Sequence, residues 1–137
     1  MYEYFDHPAD IGIRGVGSSY EEAFCEAANA VMNIMADTKI FTKEVDVDIE
    51  VNGIDMEFLF LNFLNRIIFE AGVHRAIWVE FQILEMNSNY LKAKIYGEKI
   101  KTNHKGLLKV EVKAATLSEL KVYEENGKYI AQCVVDI

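Results

Sequence analysis

Two aspartates and a chain end set the chemical question. Asp10 lies in His7-Pro8-Ala9-Asp10-Ile11-Gly12 near the start, Asp136 is the next-to-last residue, and Ile137 carries the final α-carboxylate. Hard divalent ions take carboxylate and carbonyl oxygens. If the first and last strands lie together on one sheet, three such oxygens meet at a point that no internal loop has to build. The expectation is a divalent-cation site formed by Asp10, Asp136 and Ile137. Calcium, magnesium and manganese all accept such donors, and the residues do not choose among them. On residue chemistry alone, Asp136-Ile137 also reads as a solvated strand end, the commoner case. His7, close to Asp10, is a candidate to orient a carboxylate or a bound water, against the commoner role of a strand-end histidine bonded to backbone.

Other chemistries find less support. His7, His74 and His104 are scattered, without the helical spacing or carboxylate neighbours of a zinc site. No nucleophile elbow is present, and neither Cys25 nor Cys133 has a thiol nucleophile's context. Two cysteines are too few for a disulfide framework or a thiolate cage, and both read as small buried or half-buried residues. Gly12-Ile13-Arg14-Gly15-Val16-Gly17 matches neither phosphate-loop template, so its glycines predict a close backbone approach instead.

The 137 residues, about half of them apolar, fit one domain spanning 1–137. With 22 acidic against 14 basic residues the formal charge is -8, which repels phosphate backbones and makes direct RNA binding an unfavourable reading. Contact with RNA is expected only through another protein. No leader and no membrane-length apolar run occur, so the expected location is the cytoplasm, with no membrane partner.

Periodicity places the candidate residues. Tyr2 to His7 and Asp10 to Gly15 read as two short strands joined at Pro8-Ala9. Ser18-Ser19 followed by Glu21-Glu22 signals a helix start, and Tyr20, Ala23, Phe24, Ala27, Ala28, Val31, Met32 and Met35 form its apolar face. Val45 to Asn52 alternates apolar and acidic residues as a strand with one wet face, so Asp46 and Asp48 are solvated rather than calcium ligands. Asp55 caps a second helix, with Gly72 as its end. That helix carries an extra apolar set, Phe58, Leu61 and Phe69, which is either covered on both sides or a docking patch. Strands are expected at 77–86, 90–97, 107–114, 120–123 and 128–135, with hairpin turns at Asn87-Ser88-Asn89 and Asn126-Gly127. A loop is expected at 98–106. The fold class is α+β: a sandwich of mostly antiparallel sheet with two amphipathic helices in one domain.

Together, Asp6 to Ile13, the helix from Ser19 to Asp37, Asp55 to Asn65, Val112-Lys113-Ala114-Ala115-Thr116 and the closing Val134-Val135-Asp136-Ile137 resemble the archease family over essentially the whole chain. Two departures stand out. Pro8 replaces the family's usual threonine, and Leu117-Ser118 replace a common Tyr-His, which puts a role for that pair in doubt here. The resemblance implies a non-catalytic accessory protein of the RtcB-type tRNA-splicing ligase, an enzyme that joins RNA ends carrying a 2',3'-cyclic or 3'-phosphate to 5'-hydroxyl ends. Such proteins promote guanylylation of the ligase's histidine from GTP and sustain multiple turnover. It also implies a metal site at Asp10, Asp136 and Ile137, and a functional lysine at Lys113. The alternative it allows is a chaperone-like modulator of an RNA-modifying enzyme such as a methyltransferase. A metal-dependent hydrolase is a third reading, with His7 relaying protons, but it lacks a recognisable general base.

Overall fold

The computed structural model describes all residues, Met1–Ile137. Its strands form two wholly antiparallel sheets. In the larger, β1 (Tyr2–His7), β2 (Asp10–Gly17), β8 (Lys128–Asp136) and β6 (Ala114–Ala115) lie in that order, and β7 (Lys121–Glu125) also pairs with β8. In the smaller, β5 (Tyr90–Lys99) runs between β3 (Val45–Asn52) and β4 (Ala76–Met86). The helices are α1 (Tyr20–Met35) and α2 (Met56–His74), and each packs against strands of both sheets. The architecture is the expected α+β arrangement.

Local chemistry starts both helices where the sequence signals. Ser19 Oγ accepts from the Glu22 amide at 3.1 Å, while the Glu22 carboxylate accepts from the Ser18 amide at 3.1 Å. Asp55 Oδ1 accepts from the Phe58 amide at 2.9 Å. Because α1 meets both sheets, its buried surface extends past the expected stripe to Ala30 and Ile34. Gly15 of β2 faces α1 so closely that a Cβ there would collide with the Ala23 carbonyl. The close approach expected of this glycine segment is therefore between strand and helix.

The extra apolar set of α2 divides. Leu61 is buried and Phe58 packs on the main core, as suits a helix touched from two sides, whereas Phe69 is 61% exposed. Gly72 does not end α2. The helix continues to His74 and is capped by Arg75 in the left-handed region at φ 49. An interior glycine weakens a helix by only about 1 kcal/mol relative to alanine, too little to stop one held by tertiary packing.

Two further expectations fail in the next stretch. Residues 98–106 are not an open loop: β5 runs on to Lys99, and a 3-10 helix spans Thr102–Leu107. Buried Glu98 accepts from the Thr42 amide at 2.9 Å and meets Lys101 Nζ at 2.9 Å. These contacts hold its carboxyl below the ordinary carboxylate range. His104, also buried, accepts from the Lys101 amide through Nδ1 at 2.9 Å and packs on Phe41. Nor do residues 107–114 form a strand. Leu108 makes one isolated bridge to Ala36, residues 109–113 pair with no strand, and only Ala114–Ala115 joins the larger sheet.

The remaining strands fall close to their expected places. Asn126 and Gly127 both have positive φ, 53° and 78°, and join β7 to β8 in the tight hairpin that their sequence signals.

Candidate functional site at the end of the larger sheet

Register brings the two ends of the sequence together. β2 and β8 are adjacent and antiparallel, with Ile11 opposite Val135 as their last pair. Asp10 and Asp136 are the next residues outward on the two strands. On its other side Asp10 pairs with His7, and Asp136 pairs with Ala114. A row His7, Asp10, Asp136, Ala114 thus crosses the end of the sheet.

The pleat orients this row. Ile13, Cys133 and Val135 are fully buried in the main core, and Ile11 packs against it. Side chains alternate along a strand, so Asp10 and Asp136 project to the opposite face, together with His7. Ile137 returns to the core side, where its side chain packs on the main cluster and pins the end of β8. Both aspartates are half-buried, and neither is spent on an ion pair. The register sets Asp10 and Asp136 directly across from each other at the strand ends.

The donor set is small. Nowhere do three or more His, Cys, Asp or Glu side chains gather to hold a metal. At this end the side chains supply two carboxylates, those of Asp10 and Asp136. Both are hard oxygen donors, the kind that calcium, magnesium and manganese accept.

His7 does not make the backbone bond that its position suggests. Its Nε2 lies 3.3 Å from Ser118 Oγ, and its buried Nδ1 has no hydrogen-bond partner. Nothing in the local sequence signals this contact. It arises because residues 116–118 fold along β8: the Thr116 hydroxyl donates to the Val134 carbonyl at 2.8 Å, and the Val134 amide donates to the Ser118 carbonyl at 2.9 Å.

Lys113 is tied to the same end. Its amide donates to the Asp136 carbonyl at 2.8 Å, and its exposed side chain lines a groove beside α2. Asn65, on α2, holds the segment that follows. It accepts from the Ala115 amide at 2.8 Å and donates to the Ala115 carbonyl at 3.2 Å, a side chain acting as a strand partner.

The other histidines do have carboxylate neighbours, contrary to expectation. His74 Nε2 lies 3.1 Å from Glu70, one helical turn away, and His104 Nε2 lies 3.8 Å from Glu98. Each acid also binds a cation, Arg66 for Glu70 and Lys101 for Glu98. These are structural pairings. Both cysteines are partnered by packing, and burial pushes each thiol up to about 12.

The model of the archease protein family matches residues 2–137. The chain belongs to the archease family. A relative from Sulfolobus acidocaldarius, named protein archease, is 38% identical over 137 residues, covering 99% of this chain and 98% of the relative. The protein archease of Pyrococcus furiosus is 36% identical over 141 residues, covering 100% and 99%. The solution structure of Methanobacterium thermoautotrophicum protein 1598 superposes with a TM-score of 0.83 at 27% identity, covering 99% of this chain and 98% of that one. A Thermotoga maritima crystal structure, described as an archease and possible chaperone, shares the fold at a TM-score of 0.66 and 23% identity. No helix of the chain is long and apolar enough to cross a membrane.

Proposed function

We infer that this archease is a non-catalytic activator of an RtcB-type RNA ligase, in which Asp10, Asp136 and the α-carboxylate of Ile137 hold a divalent cation at the end of the larger sheet. The observation that carries this reading is the register of β2 against β8, which makes two unpaired, half-buried carboxylates neighbours. Membership of the archease family supports the same reading.

When bound there, a hard dication supplies positive charge against phosphate oxygens. The chain's own groups do the rest. Asp10 and Asp136 hold their carboxylates in fixed strand positions, so positioning costs little further order on association. His7 backs Asp10 from the neighbouring strand and keeps one ring nitrogen on Ser118. Lys113 offers a flexible ammonium within reach of a phosphate or an acidic group of the ligase, while its amide secures the Asp136 main chain. A net charge of -8 favours approach to a basic cleft, and contact with RNA is indirect. Site and partner both belong to the cytoplasm in this reading.

The test is single-turnover guanylylation of a cognate ligase with GTP. Asp10→Ala, Asp136→Ala and a chain lengthened beyond Ile137 should each lose most of the stimulation, as should chelation of the divalent ion. Undiminished stimulation by all three proteins would remove the carboxylate end from the mechanism.

A second reading, a chaperone-like modulator of an RNA-modifying enzyme, draws on the exposure of Phe69. It is distinguished by an effect that survives chelation and the loss of Asp136 but fades on Phe69→Asp.

A further inference from the structure

The charge of the molecule is unevenly spread. A groove of about 970 Å³ lies between the C-terminal half of α2 and residues 108–113. Five cations line it, Arg75, Lys101, Lys105, Lys109 and Lys113, and one acid, Glu111. This happens in a chain where acids outnumber bases 22 to 14. Lys101 is neutralised by Glu44 and Glu98, and Lys109 Nζ donates to the Asn33 carbonyl at 3.2 Å. Arg75, Lys105 and Lys113 form no ion pair, so the groove keeps a positive field.

Its lining is also apolar. Phe69, Val73, Leu108 and Val110 contribute side chains that are 61%, 59%, 40% and 44% exposed. Along the far wall, the Lys109 and Val110 amides bond to the end of α1 and the Lys113 amide bonds to Asp136. The amides of Glu111 and Val112 between them bond to no other group of the chain.

We propose that this groove binds an extended, acidic and partly apolar peptide segment of a protein partner. The apolar side chains of the segment cover Phe69, Val73 and Val110, and its carboxylates meet Arg75, Lys105 and Lys113. Charge complementarity selects acid over base, because a basic segment would face three unpaired cations. A nucleic-acid strand fits less well. Phe69 is the only aromatic ring in the lining, so successive bases find no stacking platform. The groove stands apart from the carboxylate end, although Lys113 borders both, and its test reads peptide binding rather than ligase stimulation. Either reading can therefore fail without the other.

The experiment is selection of a random peptide display library on the whole protein, followed by affinity measurement and amide-shift mapping of the enriched peptides. The expected result is enrichment of Asp and Glu interleaved with apolar residues, with shifts confined to residues 68–77 and 100–113. Binding should weaken about tenfold on Phe69→Glu or on Lys105→Glu, both at exposed positions, and should fall with salt. Neutral or basic consensus sequences, shifts elsewhere, or affinity indifferent to both variants would overturn the proposal. So would preferential binding of a single-stranded RNA oligonucleotide at these residues, or the absence of any enrichment.

Discussion

At the scale of single residues, what matters is which polar groups are spent and which are free. Glu70 and Glu98 are buried but fully engaged, each by a cation and a histidine. Asp10 and Asp136 are only half-buried, yet they lack a cation. Burial alone would have directed attention to the wrong acids. The thiols show the same distinction. With pKa values pushed up to about 12 by burial, Cys25 and Cys133 remain protonated at neutral pH and are poor nucleophiles. Iodoacetamide at pH 8 should therefore leave both unmodified in the native protein over a period that alkylates both in denaturant, as followed by intact mass. Rapid native alkylation of either would contradict the assignment of these cysteines to packing.

At the scale of elements, the structure distinguishes signals that carry their own chemistry from those that depend on a neighbour. The Ser19 and Asp55 caps, the alternation of β3 and the Asn126-Gly127 turn were legible because each is satisfied within a few residues. Residues 107–114 misled because Leu108, Val110 and Val112 alternate with Lys109, Glu111 and Lys113 as a strand would, but only the end of the segment, from Lys113, meets a strand. The segment is held extended by the end of α1, by Asp136 and by Asn65. Such long-range partners leave no periodic trace. The loop expected at 98–106 failed for the converse reason: polar residues there close on each other through Glu98, Lys101 and His104. The candidate site was legible from its acids and the closing residues. Its supports, Ser118 and Asn65, were not, because their roles exist only after β6 and β8 pair.

Asn65 gives this scale its test. Replacing it by alanine leaves the Ala115 amide and carbonyl without partners. Asn65→Ala should lower stability by about 1–3 kcal/mol in chemical denaturation and speed amide exchange at Lys113 and Ala115. Wild-type exchange at those two amides would show that β6 is held by something else.

At the scale of the whole molecule, two sheets joined through two helices create an end and a side with opposite electrical character. The end of the larger sheet carries paired carboxylates, and the side beside α2 carries unpaired cations. In the two proposals made above, a protein with a formal charge of -8 presents one surface to a hard cation and another to an acidic chain. The main core runs through both sheets and both helices, so these surfaces are held by one packed body.

The account rests on the carboxylate end acting as a cation site, and the most direct measurement is a calcium titration of the isotopically labelled protein followed residue by residue in amide spectra. The predicted result is a saturable shift centred on Asp10, Ile11, Asp136 and Ile137 that is lost in Asp10→Asn. Shifts confined to the solvated acids of β3, Asp46, Asp48 and Glu50, or none that saturate, would contradict it.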